Sequence, residues 1–263
     1  MAEKTVLHGR TAIVTGAGSG IGAAIALDLA AAGAHVIVQD LRLDAARETV
    51  EAIRAAGGSA DASEGDVTDP DSINRTVDQA VAHAGTIDIL VNNAGLQYVA
   101  PIDDYPLAKW NQLIAVLLTG PFLFTQAVLP AMRARKWGRI INIASINGKR
   151  GDPGKAAYCS AKHGVIGLTR TAALETATDG ITVNAVCPGL VDTPLIRGQI
   201  DDLAKVLNMA PGEVLEKHFL ARTPTGRAIE PKEVASLVRY LASDEAASIT
   251  GQAINVSGGL IMH

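Results

Sequence analysis

The stretch TAIVTGAGSGIGAAIALDLAAAGAHVIVQD, residues 11–40, contains the signals that decide the fold. The apolar run TAIVT leads directly into the glycine-rich segment TGAGSGIG, residues 15–22, and Ala-rich helical sequence follows. A second apolar run, HVIVQ, ends beside Asp40. A strand, a glycine-rich turn, a helix and a second strand ending in a carboxylate predict a βαβ unit of the kind that binds a dinucleotide.

The glycines of this segment, Gly16, Gly20 and Gly22, are spaced as GxxxGxG rather than as the usual GxGxxG. They let the backbone approach a pyrophosphate, while the helix N-terminus presents free N–H groups to it. A glycine-rich turn alone can also be a tight connection without a ligand, but Asp40 is placed to hold the ribose hydroxyls. Because its carboxylate repels a 2′-phosphate, we predict NAD as the cofactor, although Arg42 leaves NADP open.

Short β-branched runs alternate with Ala-rich helical patterns along the rest of the chain. The later runs are DILVN (88–92), RIINIA (139–144) and ITVNAV (181–186). Near-continuous apolar strands between helices are typical of parallel sheets covered on both faces. The sequence therefore predicts an α/β fold, a Rossmann-type doubly wound parallel sheet with helices on both faces, formed as a single domain by residues 1–263.

Residues 188–231 break this alternation, with five prolines, two short helical patterns and no strand. An insertion of this kind in a compact domain is usually a binding loop or a lid. We predict a substrate-binding lid at about residues 190–225. The alternative, that its helices are static packing elements, stays open because charge and periodicity do not distinguish the two.

Composition and charge limit the partners of the protein. The 263 residues carry a formal net charge of −4, and their one basic cluster, residues 133–139, suits the C-terminal end of a helix better than nucleic acid. The longest apolar run, residues 114–124, is about half the ~20 residues that a membrane span requires. The first residues lack the pattern of a secretory signal. We predict a cytoplasmic protein without nucleic-acid or membrane partners.

Cysteine and histidine usage gives no sign of a disulfide or a metal. Cys159 and Cys187 are too few and too far apart in sequence to indicate a disulfide framework or a CxxC site. The six histidines are dispersed without HExxH or another ligand spacing. We therefore predict reduced thiols and no catalytic metal.

The stretch AYCSAKHG (157–164) contains Tyr158 and Lys162, which are four residues apart and project from one helical face. An unperturbed phenol has a pKa of about 10 and is a poor base near neutrality. A neighbouring ammonium lowers that pKa, which is a physical reason for the spacing. A Tyr and a Lys alone more often form a surface pair, but Ser145 follows an apolar strand at the sheet edge where ligands bind, and its hydroxyl can orient a substrate oxygen.

Six motifs occur in the order expected of short-chain dehydrogenase/reductases, and the chain resembles that family over essentially its whole length. The motifs are TGAGSGIG, GDVTD (65–69), NNAG (92–95), Ser145 after a strand, YCSAK (158–162) and PGLVDT (188–193). The resemblance implies hydride transfer between a secondary alcohol and a nicotinamide, with Ser145, Tyr158 and Lys162 as the catalytic residues. It also implies a homotetramer.

The resemblance extends the cofactor site beyond the glycine-rich turn. The residues predicted to bind the dinucleotide are Gly16, Ser19, Gly20, Ile21, Asp40, Asp66, Val67, Asn93, Ala94, Gly95, Tyr158, Lys162, Pro188, Gly189, Val191 and Thr193. One position departs from the family pattern: Leu117 stands where an asparagine usually supports a proton-relay water. An apolar side chain cannot hold that water by hydrogen bonds, so a catalytic triad is expected rather than a tetrad.

Within the family, the chain is most similar to bacterial (R)-3-hydroxybutyrate dehydrogenases, through stretches such as KAAYCSAKHGVIGLT and TPLIRGQI. In those enzymes two glutamines, a lysine and a histidine hold the substrate carboxylate. Their counterparts here are Gln97, Gln199 and Lys155, while Asn147 stands at the histidine position and Ser145 completes the substrate site. An amide supplies no positive charge, so Lys155 is expected to carry the recognition. Without the resemblance, Lys155 and Gln199 are typical of exposed loop residues.

Two other functions are compatible with the sequence. NGKRG (147–151), ARTPTGR (221–227) and the C-terminal NVSGGL resemble polyketide ketoreductases, which generally prefer NADPH and act on bulkier ketones. Asp40 argues against that cofactor. The third candidate is a non-catalytic dinucleotide-binding protein, in which Leu117 is a first sign of decay, but the intact catalytic set argues against it.

Overall fold

The computed structural model describes residues 6–263 and contains one parallel sheet of seven strands. The strands β1 to β7 have the bounds Thr11–Thr15, His35–Asp40, Ser59–Glu64, Ile89–Asn92, Gly138–Ile143, Ile181–Pro188 and Ala253–Val256. They lie in the order β3-β2-β1-β4-β5-β6-β7, so the chain reverses its direction of winding between β1 and β4. A reversal of this kind opens a crevice at the carboxyl ends of the central strands.

Ten α-helices connect and cover the strands of the described part of the chain. Their bounds are Gly20–Ala31, Leu43–Ala55, Pro70–Ala84, Leu107–Ile114, Gly120–Arg135, Ala156–Thr176, Pro194–Arg197, Ile200–Leu207, Pro211–Glu213 and Pro231–Ala242 for α1 to α10. Two π-helical turns, Ala115–Thr119 and Val214–Phe219, continue α4 and α9. Such turns are rare and often lie at functional sites.

The sheet has an apolar core on each face, because successive strand side chains point in opposite directions. Val14 and Val36 lie in the core formed with α1, α2 and α10, whereas Ile13 and Ile37 lie in the core formed with α3, α5 and α6. Both cores are fully enclosed at these positions. The predicted doubly wound parallel sheet with helices on both faces is confirmed.

The helix α3 has clear start and stop signals. Asp69 caps it by accepting hydrogen bonds from the N–H groups of Asp71 and Ser72, and Pro70 occupies its first turn. Gly85 ends it with a φ of 69°, a conformation that favours glycine. These signals place His83 in the last turn of the helix.

The continuous helical stretch from Leu107 to Arg135, formed by α4, the first π turn and α5, is long and apolar enough to cross a membrane by length and composition alone. Core helices pass the same test. Phe124 and Val128 of this stretch are fully buried against the sheet, which accounts for its apolar composition. Its other side leaves Leu107 and Phe122 exposed.

The segment after β6 forms its own small apolar cluster. Leu190, Leu203, Val214 and Phe219 are buried together there, and Val99 of the loop after β4 joins them. This packing places the helices α7 to α9 beside the carboxyl ends of the strands. The predicted helical insertion is present, with a single bridge between Val191 and Ile229 as its only strand-like contact in the described residues.

Candidate active site

A cavity of about 690 Å³ lies at the carboxyl ends of the central strands, in the crevice that the topology opens. Every residue that the resemblance assigns to the cofactor lines this cavity, from the glycine-rich turn to Thr193. Ser145 and Leu117 line it as well, and Leu195 and Ile196 of the segment after β6 close one side. One continuous space therefore joins the predicted dinucleotide site to the predicted catalytic residues.

The glycine-rich turn leaves room that any larger residue would fill. Gly16 has a φ of +60°, and a Cβ atom there would lie 2.7 Å from the Cα of Ala94. A Cβ atom on Gly18 would lie 2.8 Å from Oδ2 of Asp40. Gly18, which the sequence analysis left out, therefore has a role of its own. The turn is a cradle of bare backbone whose shape fits a pyrophosphate.

Asp40 is held in a fixed position at the end of β2. Its Oδ2 atom accepts a hydrogen bond of 2.9 Å from the backbone N–H of Gly18, and its Oδ1 atom accepts one of 3.0 Å from that of Arg42. The side chain of Arg42 also lines the cavity. The carboxylate is therefore available to ribose hydroxyls, with an arginine as its neighbour.

The loop after β4 is tied directly to the cradle. The side-chain amide of Asn93 donates to the carbonyl oxygens of Thr15 and Gly16, at 2.9 and 3.1 Å. In return, Oγ1 of Thr15 accepts from the N–H groups of Asn93 and Ala94, both at 3.0 Å. These four bonds fix the spacing between two walls of the predicted dinucleotide site.

The helix α6 and the end of β5 bring the predicted catalytic residues together. Ser145 follows β5, and its Oγ accepts a 3.1 Å hydrogen bond from the N–H of Asn147. Lys162 is 5% exposed, and its Nζ donates to the carbonyl oxygen of Ile143 at 2.6 Å. The same Nζ lies 5.7 Å from the centre of the Tyr158 ring. The ammonium is thus close to the phenol but is not bonded to it.

Burial, and not the nearby ammonium, dominates the protonation of this pair. It raises the pKa of Tyr158 to about 12, against a smaller effect of Ser145 in the opposite direction. Burial also lowers the pKa of Lys162 to about 8. The prediction that Lys162 holds the phenol pKa below its ordinary value is therefore wrong for the protein on its own, because desolvation disfavours both charged forms.

Leu117 lies in the π turn between α4 and α5 and is fully buried. Its Cδ2 atom would be 3.5 Å from a Cβ atom placed on Gly95, so it packs directly under the loop after β4. The side chain presents only carbon to the cavity at this position. The wall where a polar relay group was considered is therefore apolar.

The residues predicted to hold the substrate carboxylate do not line the cavity itself. Asn147, Lys155 and Gln199 are buried, at 6%, 3% and 6% exposure, and Gln97 is partly buried. The interpretation of Lys155 and Gln199 as exposed loop residues is therefore wrong. Gly154, the residue before Lys155, is closely packed, since a Cβ atom there would lie within 3.4 Å of both Val99 and Val206.

A buried carboxylate, Asp152, lies at the centre of this polar group. Its Oδ2 atom is 3.0 Å from Nζ of Lys155 and accepts from the side-chain amide of Asn147 at 3.3 Å. Its Oδ1 atom is 3.5 Å from Nε2 of His218, which belongs to the second π turn. The side chains of Asp152 and His218 are 3% and 8% exposed. We name these residues, Asn147, Asp152, Lys155 and His218, the Asp152 cluster.

Positive neighbours stabilise the Asp152 cluster. Burial alone would raise the pKa of Asp152, but Lys155, His218 and Arg150 outweigh burial and hold it below its ordinary value. Burial lowers the pKa of His218, against the effect of Asp152. Sequence reasoning missed both residues. The spacing of Asp152 three residues before Lys155 was a local signal, whereas His218 is distant in sequence and gave none.

Some polar atoms in this region are buried without a hydrogen-bond partner among the described residues. They are Oε1 of Gln97, Oε1 of Gln199 and Nε2 of His218. Buried polar atoms are nearly always bonded, so each such atom requires an explanation. A polar ligand that reaches this region would supply partners to them.

Comparisons with known proteins agree with this arrangement. The family model described as short chain dehydrogenase matches residues 10–203. The chain is 42% identical over 252 residues to the D-beta-hydroxybutyrate dehydrogenase of Rhizobium meliloti, covering 95% of this chain and 98% of that protein. It is 45% identical over 251 residues to a protein of Streptomyces violaceoruber named as a ketoacyl reductase of the granaticin polyketide synthase, covering 95% and 92%.

A solved structure is similar in both sequence and shape. It is a protein of Beutenbergia cavernae named as an NAD(P)-dependent gluconate 5-dehydrogenase, with NADP bound. The TM-score is 0.86 at 37% identity, and the match covers 98% of this chain and 99% of the other. The solved structure thus shares the fold of this chain, and the similar proteins differ in the substrates that their names state.

Proposed function

Because the chain belongs to the short-chain dehydrogenase/reductase family, we propose that it is an NAD-dependent dehydrogenase that interconverts a small 3-hydroxy acid, such as 3-hydroxybutyrate, and its 3-oxo acid. The observation that carries the substrate class is the buried ammonium of Lys155, which lies in one cluster with the side-chain amide of Asn147. A buried cation with nearby amides is suited to a carboxylate. The similarity to a D-beta-hydroxybutyrate dehydrogenase supports the same class.

The Asp152 cluster must still admit an anion for this proposal to hold. The carboxylate of Asp152 compensates the charge of Lys155. Arg150 and Arg222 add further positive charge, and both help burial to lower the pKa of His218. Positive charge therefore exceeds negative charge around the site. A substrate carboxylate would share the donors of Lys155 and Asn147 with Asp152, and its oxygens would accept from the amides of the glutamines.

The preference for NAD rests on Asp40. Two backbone N–H groups hold its carboxylate at the end of β2, where it would bind ribose hydroxyls and repel a 2′-phosphate. The glycine cradle would hold the pyrophosphate, and Asp66, Asn93 and Thr193 would line the rest of the site. When bound, the nicotinamide supplies or accepts the hydride.

The catalytic residues have separate tasks in this proposal. Ser145 would orient the substrate oxygen, and Tyr158 would transfer the hydroxyl proton. A phenol with a pKa of about 12 is protonated near neutrality, so the proton that the oxygen of a ketone takes up on reduction is present on Tyr158. To act as a base it needs added positive charge, and Lys162 is the nearby group that can supply it. Because the buried, apolar Leu117 stands at the position of the usual relay asparagine, the proposed catalytic set is a triad.

Three further proposals concern the whole molecule. We infer that residues 1–263 form one domain, of which residues 1–5 lie outside the part that the structure describes. We also infer that the segment at about 190–225 is a lid, since His218 in this segment lies 3.5 Å from Asp152 in the loop before α6. We also propose a cytoplasmic homotetramer. The exposed apolar side chains Leu107 and Phe122 on the long α4–α5 stretch are consistent with burial against a second copy.

A second candidate function is supported by Asp152 itself. Since this carboxylate pairs with Lys155, the site is also compatible with an uncharged ketone. The similarity to a protein named as a polyketide ketoacyl reductase favours that alternative, which would be a ketoreductase for a bulkier ketone.

Initial rates distinguish the two candidates. The purified enzyme is assayed with NAD and NADP against 3-hydroxybutyrate, and with NADH and NADPH against acetoacetate and a bulky cyclic ketone. We expect the highest kcat/KM with NAD and the short hydroxy acid. A strong preference for NADPH and the bulky ketone would replace our proposal with the ketoreductase. No turnover of any alcohol or ketone, together with tight dinucleotide binding, would indicate the non-catalytic alternative.

A further inference from the structure

Three possible metal ligands meet at the end of the sheet opposite the cavity. His35 is the first residue of β2, Asp61 lies in the neighbouring β3, and His83 is in the last turn of α3. β2 ends at Asp40, so the cluster lies about 17 Å from the dinucleotide site. No local spacing joins these three residues. The fold alone assembles them, which is why no spacing pattern in the sequence indicates a metal.

The distances approach those of a tetrahedral metal site. Oδ2 of Asp61 lies 3.3 Å from Nε2 of His35 and 3.8 Å from Nδ1 of His83. The candidate ligand atoms all lie within 4.8 Å of one another. A tetrahedral zinc ion with bonds of about 2.0–2.1 Å separates its ligand atoms by roughly 3.4 Å. The two imidazole rings are stacked, so His83, whose side chain is 44% exposed, must rotate to direct its nitrogen at the ion.

His35 is already prepared as a ligand. Its Nδ1 atom is 2.8 Å from Oγ of Ser59, and metal-bound histidines usually have their second ring nitrogen bonded in this way. The side chain is only 10% exposed, and Nε2 is buried without a hydrogen-bond partner among the described residues.

Asp61 has one oxygen free for an ion. Arg54 holds Oδ1 at 2.9 Å and also donates to the carbonyl oxygen of Ala60, so the carboxylate is oriented with Oδ2 facing the imidazoles. The guanidinium charge opposes a cation, which limits the affinity of the site. It also compensates the carboxylate of Asp61 when no ion is bound.

We propose that His35, Asp61 and His83 bind one divalent transition-metal ion of the zinc type, which joins α3 to the edge of the sheet. Two imidazoles and one carboxylate are typical ligands of zinc, nickel and copper, and are poor ligands for magnesium or calcium. The exposure of His83 leaves a fourth position open to solvent. The distance from the cavity makes the role structural.

Calorimetry with zinc tests the proposal on the untagged, full-length protein after treatment with EDTA. We expect one zinc ion per chain and a rise in melting temperature of about 5 °C at a hundredfold excess over Kd. The variants His83→Gln and Asp61→Asn should lose this binding, and Ser59→Ala should weaken it about tenfold. The matched control is His163→Gln, which removes an exposed histidine outside the cluster and should bind zinc as the parent protein does.

The outcomes are distinct. Cobalt should give the visible absorption of a tetrahedral site in the parent protein and in His163→Gln, but not in His83→Gln. Absence of zinc binding overturns the proposal, as does binding that His83→Gln and Asp61→Asn leave unchanged. Stability that depends on pH but not on zinc would show that the cluster is only a histidine–carboxylate ion pair, and would overturn it as well.

Discussion

Two regions of the candidate site, the dinucleotide end of the cavity and the Asp152 cluster outside the cavity lining, are built in different ways. At the dinucleotide end, backbone atoms form most of the site. Gly16 has a left-handed conformation, and Gly18 donates its N–H to Asp40. All of these residues lie within one βαβ unit. In the Asp152 cluster, our proposed substrate site, side chains from distant segments meet, with Asp152 before α6 and His218 in the segment after β6.

This difference decides how variable each region can be. A backbone cradle tolerates few changes, since any side chain on Gly16 would meet Ala94 at 2.7 Å. In a cluster of side chains, by contrast, one substitution can change the charge of the site while the protein keeps its fold. The similar proteins fit this contrast, because their names all state a dehydrogenase or a reductase but state different substrates. Tyr158 and Lys162 line the cavity.

The largest effect on activity is expected for a substitution of Tyr158. Tyr158→Phe removes the proton donor without changing the shape of the ring, and should lower kcat by at least about 10²–10⁴-fold. The Kd of NADH should change little, because the cradle is intact. Stopped-flow turnover and fluorescence titration measure the two quantities. Tyr105→Phe, which loses only a hydroxyl bonded to the carbonyl of Tyr98, is the control and should keep full activity. A Tyr158→Phe variant with most of its activity would remove this residue from the mechanism.

The sequence predicted the dinucleotide end because its signals are local. The glycine turn, Asp40 and the alternating strands specify one another over about forty residues, and the structure places them together. The Asp152 cluster was not predicted, since contacts between distant segments leave no spacing pattern. The pKa of Tyr158 was predicted in the wrong direction, because the depth of burial is a property of packing and not of the i,i+4 spacing.

The next largest effect, on KM and on stability, is expected for a substitution in the Asp152 cluster. Lys155→Met should raise the KM for 3-hydroxybutyrate about tenfold or more, and should also destabilise the protein by about 3 kcal/mol because it leaves Asp152 buried without its nearest cation. The double variant Lys155→Met/Asp152→Asn should regain stability but not the low KM. Thermal unfolding and steady-state kinetics separate these two consequences.

The chain offers a matched control for that experiment. Lys205 and Asp202 have the same i,i+3 spacing and lie 2.9 Å apart, but both side chains are largely exposed. Lys205→Met should leave the melting temperature and the KM nearly unchanged, since solvent screens the pair. If Lys155→Met and Lys205→Met changed the melting temperature and the KM equally, the buried pair of the Asp152 cluster would not differ from an ordinary surface ion pair.

The smallest expected effect is a change in the pH dependence of the free energy of unfolding, caused by the burial of Lys162. Its pKa in the folded protein, about 8, is below the ordinary value of 10.5, so between these values the unfolded chain binds more protons than the folded protein. The free energy of unfolding should therefore rise with pH in this range, by about 1 kcal/mol between pH 8 and pH 9 relative to Lys162→Met. Urea unfolding of both proteins measures this difference, and the exposed lysine substitution Lys109→Met should not reproduce it. The range stays below the pKa of Tyr158, whose ionisation would act in the opposite direction. If the two curves are parallel, the ammonium is not desolvated, and the low pKa assigned to it is wrong.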